Sequence, residues 1–423
     1  MSKTSIKEIV EGLLELQKTD KSATILGIGP MSRNCVQAAL ELSKEDDYPV
    51  MFIASRNQVD KDEFGGGYVN SWNQFTFAEA VKEIAEEINY DNFYYLCRDH
   101  GGPWQRDEER NAHLPEDDAM KIGRESFVAD IEAGFDLLMI DPTKDPFVRG
   151  KVIPLETVIS RTVDLIEFCE IERKKRNLPE IGYEVGTEET NGGLTSTNTY
   201  EKFIIRLKEE LLAKGLPMPV FIVGQTGTLV RKTEQAGTFN FRNALELAKM
   251  AKRYNVGLKE HNGDYLDDVS LLMHIPSQIT ATNVAPQYGT EETRAYLKLG
   301  KLEQNLVKEG LIESPSKIYQ VLLDQSIKSE RWRKWMDGDQ VNLTVEEILE
   351  DKTLSNEILD ISGHYTLNNE KVKREIKKLF KNLNEHGING KRFVIDHIKR
   401  PIRVYSEAYN LRGVTTRIRE LKY

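Results

Sequence analysis

About eight short apolar runs recur along the first two thirds of the chain, separated by stretches of helical periodicity, and this alternation limits the fold more than any other feature. The runs are Ala23–Gly29, Pro49–Ser55, Phe93–Cys97, Asp136–Asp141, Ile181–Glu189, Val220–Gly227, Val256–Asp264 and Gln278–Val284. Helices are expected over residues 6–17, 33–43, 76–87 and 123–133. Strand and helix in regular alternation build a parallel sheet, because a parallel neighbour is reached only through a crossover. The count favours an α/β (β/α)8 TIM barrel over an open doubly wound sheet. So do the polar or glycine residues that end nearly every run, since barrel strand ends converge on one mouth. The open sheet also lacks its phosphate loop: the first strand leads into GIGPMSRN, where Pro30 occupies the turn that a GxGxxG motif keeps free.

From about Leu299 the strand-like runs stop. Residues 301–310, 315–325, 329–336, 345–349 and 370–386 carry helical patterns, and Ser314 followed by Pro315 reads as a helix start. The expected division is a barrel over 1–298 and a helical extension over 299–423 packed on it. The run KVKREIKKLFKNLNEHG in that extension has the pattern of a solvated surface helix, more rarely of a partner-binding or substrate-covering one.

At 423 residues, with 39% hydrophobic and 30% charged side chains, the chain can bury a large core without staples. A net charge of -10 leaves no basic face for nucleic acid, although plentiful lysine and arginine permit a small anionic substrate. Cys35, Cys97 and Cys169 lie far apart with no CxxC spacing and are expected to be reduced thiols of a cytoplasmic protein. No stretch of some 18 apolar residues suits a membrane span, and the opening MSKTSIKEIVEGLLELQ is amphipathic rather than signal-like.

The chemistry concentrates where FYYLC gives way to Arg98, Asp99 and His100, followed by Gly101, Gly102 and Pro103. An Asp-His pair at a strand end offers a proton carrier beside an imidazole, the commonest metal ligand. The alternative, equally open from this segment, is that His100 caps the sheet and Asp99 pairs with Arg98. Also at predicted strand ends are Asn57, Asp141, Glu188, Gln225, Glu260, His261 and Asp264. Two of only seven histidines, His100 and His261, fall at these ends. With Glu188 as a third ligand they meet the requirement of a catalytic metal for donors from separate elements. Without a metal, each would simply hydrogen-bond a neighbouring carboxylate.

The segments SRNQVDKDEFGGGY, CRDHGGPWQ, IPLETVISR, YEVGTEETNGG, VGQTG and KEHNGDY, in this order, resemble the tagatose-bisphosphate aldolase accessory-subunit (Z-subunit) family of class II aldolase-like barrels. The likeness runs from about residue 20 to 300 and continues more weakly through ISGHY. A more distant likeness is to the tagaturonate 4-epimerases, through Asp99-His100 and Ile140-Asp141-Pro142. The resemblance implies a zinc-type site, with manganese or cobalt as other candidates, in which Asp99 and Glu188 are catalytic. The implied ligands are His100, His261, Glu188 and Gln225. Gln225 stands where catalytic class II aldolases place a histidine, and its neutral carbonyl is the poorer zinc ligand. The last histidine is followed by Asn262-Gly263-Asp264-Tyr265 rather than a glycine-serine phosphate loop, which turns the expectation toward sugar hydroxyls. Asn57, Gln58, Asp141, Glu260, Asn262, Asp264 and Arg98 are the expected substrate contacts. Arg56, Arg98 and Arg106 are candidate anion contacts, with loop salt bridges as their commoner role.

The implied function is metal-dependent 4-epimerisation or aldol cleavage of a ketose, ketose phosphate or keto-acid sugar at the C3–C4 bond. The alternative is a non-catalytic accessory subunit that stabilises a class II tagatose-1,6-bisphosphate aldolase. Expected partners are a small-molecule sugar, on the second reading a catalytic aldolase subunit, and a further copy of the chain, since such barrels often dimerise. A kinase is disfavoured by the lack of GxxxxGK[ST].

Overall fold

The computed structural model describes residues 3–148, 153–187 and 193–421. Its strands are β1 (Ile25–Ile28), β2 (Val50–Ser55), β3 (Tyr94–Gly101), β4 (Leu137–Ile140), β5 (Gly182–Val185), β6 (Phe221–Val223), β7 (Val230–Arg231), β8 (Glu234–Gln235), β9 (Gly257–Glu260) and β10 (Ala281–Val284). Eight of these close into a parallel barrel in the order β1-β10-β9-β6-β5-β4-β3-β2, while β7 and β8 form a small antiparallel hairpin on the loop after β6. The (β/α)8 expectation therefore holds, and each barrel strand lies within or overlaps one of the eight apolar runs. Near-complete burial of the strands on both faces explains why the runs read as continuously apolar.

The helix Ile6–Leu16 covers the N-terminal end of the barrel. It starts at a Ser5/Glu8 capping box and buries Ile6, Ile9, Val10, Leu13, Leu14 and Leu16. Around it, the Tyr95 hydroxyl donates to the Thr4 carbonyl at 2.7 Å and the Gln17 amide to Gln278 O at 2.9 Å. This plug leaves the opposite mouth, where β3 and β9 end, as the open face.

The boundary expected at 298 falls inside one continuous helix, Pro286–Lys308. The helices beyond it share the main apolar core: Val372, Leu379, Val394, Ile398, Ile402, Tyr405 and Ile418 cluster with the barrel's own side chains. A smaller satellite core gathers Ile327, Trp332, Met336, Ile348, Leu354, Ile358 and Ile361. The expected start at Pro315 moves to Ile318, and residues 331–335 form a 3-10 turn rather than an α-helix. A long helix, Gly390–Ala408, runs through Pro401 and was not expected from sequence, because an internal proline argues against a helix. The three cysteines are buried and unpaired. Among the described residues, no helix is long and apolar enough to cross a membrane.

Candidate functional site

Side chains on a strand alternate between the barrel interior and the surrounding helices, and this decides which candidates meet. On β9, Lys259 points inward and Glu260 outward. Residue 261, two beyond Lys259, turns in again at the mouth. Lys259 Nζ lies 2.5 Å from Glu184 Oε2 of β5, both fully buried inside the barrel. Glu260 instead meets His274 Nε2 at 2.7 Å and Thr226 behind the sheet. The same parity on β3 sends Asp99 to the mouth and Arg98 outward, where it pairs with buried Asp130 at 2.5 Å and donates to the Ala54 and Val59 carbonyls. Glu260 and Arg98, both expected at the substrate, are thus spent on packing the helical layer.

His100 escapes this parity through a bulge. Between Arg98↔Leu138 and Gly101↔Ile140, β3 carries one residue more than β4, and His100 takes a left-handed φ of 49°. Two consecutive side chains, Asp99 and His100, therefore reach the same mouth. Strain of this kind in a non-glycine residue is typical of functional positions.

The rings of His100 and His261 meet edge to face, with centroids 4.8 Å apart. His100 Nδ1 lies 2.5 Å from Asp141 Oδ2, and His261 Nε2 lies 2.8 Å from Glu184 Oε1. A carboxylate only accepts, so each of those ring nitrogens carries the proton and donates it. The two remaining nitrogens, His100 Nε2 and His261 Nδ1, then face each other as lone pairs 3.1 Å apart. Asp99 Oδ1 sits 4.0 Å from the first and 3.8 Å from the second. Two lone pairs so placed repel unless a proton or a metal cation lies between them. Tetrahedral zinc with Zn–N bonds of about 2.0–2.1 Å sets its nitrogens about 3.3 Å apart. The donor set fits a divalent metal, and the carboxylates behind each imidazole are the outer shell such sites use to fix the tautomer.

Two other carboxyls in the site are driven in opposite directions. Burial works against the charge on Asp99, but positive charge at His100 and His261, with Lys259 behind them, more than offsets it and holds the carboxyl below its ordinary range. Asp264, fully buried, is pushed up to about 7 by burial and by the field of Asp99, despite accepting backbone N–H bonds from Ala285 and Gln287. Asp141 and Glu184 are both held low against the cost of burial, the first mainly by its bond to His100, the second by Lys259 and His261.

Asp99, His100, His261 and Asp264 line a mouth cavity of about 220 Å³, closed by Asn283, Tyr68, Trp335, His364 and Tyr365, while Asp141 and Glu184 stand behind the two imidazoles. Of the sequence candidates it brings together Asp99, His100, His261, Gln58, Asn262 and Asp264, with Asp141 directly behind His100. Gln225, buried at the end of β6 and tied through its backbone to Thr195, is not among the described residues lining it. Asn57 accepts from the Asp107 backbone outside the cavity. Arg56 and Arg106 are held in ion pairs around Asp60. Glu188 lies outside the described residues. Glu184, Lys259, Asn283 and His364 are not among the site residues expected from sequence. The available signal was a charged or polar residue in the middle of an apolar run, as in GYEV, GLKE and ATNV. Asn283 donates to Asp99 Oδ1 at 3.0 Å, which orients the carboxylate.

The fold recurs in solved structures of low sequence identity. A probable tagatose 6 phosphate kinase from Sinorhizobium meliloti 1021 superposes with a TM-score of 0.72 at 19% identity, over 91% of this chain and 100% of that one. The fructuronate-tagaturonate epimerase UxaE from Cohnella laeviribosi gives 0.56 at 12% identity, over 91% of this chain and 81% of that one. A fructose-bisphosphate aldolase from Campylobacter jejuni gives 0.53 at 12% identity, over 97% of this chain and 96% of that one. No curated protein sequence matches significantly. The family model described as D-tagatose-1,6-bisphosphate aldolase subunit GatZ/KbaZ-like matches residues 10–409, barrel and extension alike, and the chain belongs to that family.

Proposed function

We propose that this barrel is a metal-dependent enzyme that opens and re-forms the C3–C4 bond of a ketose or keto-acid sugar, acting as a 4-epimerase or an aldolase. The observation that carries this reading is the convergence of His100 Nε2, His261 Nδ1 and Asp99 Oδ1 within 4.0 Å of one another at the mouth. His100 and His261 would hold the cation, zinc first with manganese or cobalt as alternatives, and when bound it supplies charge stabilisation for the sugar's carbonyl oxygen and adjacent hydroxyl. Asp99, oriented by Asn283, takes the proton from the C4 hydroxyl. The electron pair of the C3–C4 bond moves toward C2–C3 as the C4 aldehyde forms. Asp264, which lines the same cavity and is pushed up to about 7, can return or hold a proton there. Release of the aldehyde fragment completes a cleavage. Its rotation, re-addition and reprotonation by Asp99 complete an epimerisation. A cavity of about 220 Å³ is smaller than the roughly 300–1,000 Å³ of drug-sized ligand sites and suits a single monosaccharide.

Metal analysis of untagged protein, with D-tagatose, D-fructose and their 2-keto-uronates followed by NMR, tests this directly. We expect about one divalent ion per chain, lost in both His100→Ala and His261→Ala, and turnover lost with it. Protein that takes up no ion after incubation with zinc, manganese and cobalt would sink the metal mechanism. The family description favours a second reading, support of a separate catalytic aldolase. On that reading His100→Ala keeps its ability to stimulate the partner aldolase.

A further inference from the structure

The roof of the mouth cavity comes from the helical extension, not from the barrel. Trp335 ends the 3-10 turn Arg331–Trp335, and His364 and Tyr365 lie in the turn Gly363–Thr366. Tyr68, on the loop after β2, meets Tyr365 edge to face at 4.9 Å, and Trp335 Nε1 lies 3.3 Å from the Tyr365 hydroxyl. Arg331 stacks over Tyr68 and Tyr365, and Lys334 over Trp335 and Tyr365, which fixes the aromatic rings from outside.

His364 is the anomaly in this roof. It is 4% exposed, it lines the cavity, and neither ring nitrogen has a hydrogen-bond partner. Burial, reinforced by Lys334 and Arg331, pushes the imidazole down to about 3, so it stays neutral with one donor and one acceptor. A buried group with both capacities unused is costly, and an apolar residue of similar size would fill the same space without that cost.

The turn is also seated with unusual closeness. A Cβ on Gly289 would lie 2.8 Å from both Cβ and Cγ of His364, and a Cβ on Gly363 would lie 2.4 Å from Thr293 Cγ2. Two glycines thus let the turn approach the helix Pro286–Lys308 closely enough to bring His364 to the cavity wall. A sugar hydroxyl both donates and accepts, which matches a neutral imidazole. A phosphate or carboxylate only accepts and would use one nitrogen. The aromatic faces of Tyr68, Trp335 and Tyr365 suit the C–H faces of a sugar ring or chain.

We propose that His364 binds a hydroxyl of the monosaccharide in the mouth cavity, so that the helical extension supplies part of the binding site. The inference rests on reading the cavity as a sugar site, and it does not require that the bound sugar react. It is tested by titration calorimetry of the full-length, metal-loaded chain with D-tagatose, D-fructose and the hexitol D-glucitol, which has hydroxyls but no carbonyl. Wild type, His364→Ala and His364→Gln are compared, with metal content and thermal midpoint measured on each.

The expected result is affinity for all three probes weakened about tenfold or more in His364→Ala, as for loss of one buried hydrogen bond. His364→Gln, which keeps a donor and an acceptor, should recover to within about threefold. Metal content should not change in either variant. Equal affinity in His364→Ala and wild type overturns the inference, as does a wild type that binds none of the three. A loss of binding that His364→Gln fails to recover also overturns it, because the ring would then be a packing element. Wild type that binds D-tagatose but neither epimerises nor cleaves it removes the reaction proposed above and leaves the role of His364 standing.

Discussion

At the scale of single residues, the site is a set of protons with fixed addresses. Asp141 accepts from Nδ1 of His100 and Glu184 from Nε2 of His261, and this turns His100 Nε2 and His261 Nδ1 toward each other, 3.1 Å apart. Asp141→Asn and Glu184→Gln remove the charge behind each imidazole and leave its shape, so divalent-metal affinity should fall about 10–100-fold in each. Competition against a chelator of known affinity measures it, and an unchanged affinity would mean the carboxylates only pack. Asp264 gives a pH signature. Its ordinary value is 3.8 and burial raises it to about 7, so between these values the folded chain holds a proton that the unfolded chain has lost. Its contribution to stability is whole below pH 3.8 and is lost as pH rises through about 7. Asn at this position cannot ionise and can still accept from Ala285 and Gln287. The melting temperature of Asp264→Asn should therefore gain on wild type from pH 5 to pH 8, and a constant difference across that range would contradict the shift.

At the scale of elements, one bulge and one parity rule assemble the mouth. The sequence RDHGG at the end of β3 marks two residues that reach the mouth, Asp99 and His100, but not that Arg98 turns away from it. That followed from the pairing with β2, where Ala54↔Arg98 and Ser55↔Asp99 fix the faces. Arg98 and Asp130 are both fully buried, so Asp130→Ala would leave an uncompensated guanidinium in the helical layer. We expect a loss of roughly 3–5 kcal/mol in chemical denaturation, with the metal site intact in whatever fraction remains folded. The docking of the turn Gly363–Thr366 depends on the missing side chain at Gly289. Gly289→Ala should cost about 1–3 kcal/mol by overpacking and displace His364, read as a lower midpoint and as changed NMR signals from its ring.

At the scale of the whole molecule, the extension is structural cement as well as roof. A Cβ on Gly12 of the first helix would lie 2.7 Å from Ile418 Cγ2, and the Thr24 backbone N–H donates to the Tyr409 carbonyl at 3.1 Å. The C-terminal helices thus close against the start of the chain and of β1. A chain ending at Gly310 would lack Val394, Ile398 and Ile402 and leave bare the barrel side chains that they cover. It should be recovered insoluble or without a cooperative thermal transition by circular dichroism. A soluble, cooperatively melting fragment would show the barrel to be independent of its extension.

Local periodicity is a property of neighbours in sequence, and it was enough to establish the eight strands, their order along the chain, the barrel class and the helical character of residues after 299. It was also enough to mark Asp99, His100, His261 and Asp264, because each follows an apolar run at the strand end that faces the mouth. Which neighbour of each pair faces inward depends on register and on a single extra residue in β3, and these are settled only when strands pair. Glu184 and Lys259, which lie 75 residues apart in sequence, become a pair only when β5 and β9 face each other across the barrel. The roof was beyond the reach of sequence for the same reason: His364 meets the barrel mouth only through tertiary packing of the extension, where two glycines allow an approach that no local pattern encodes.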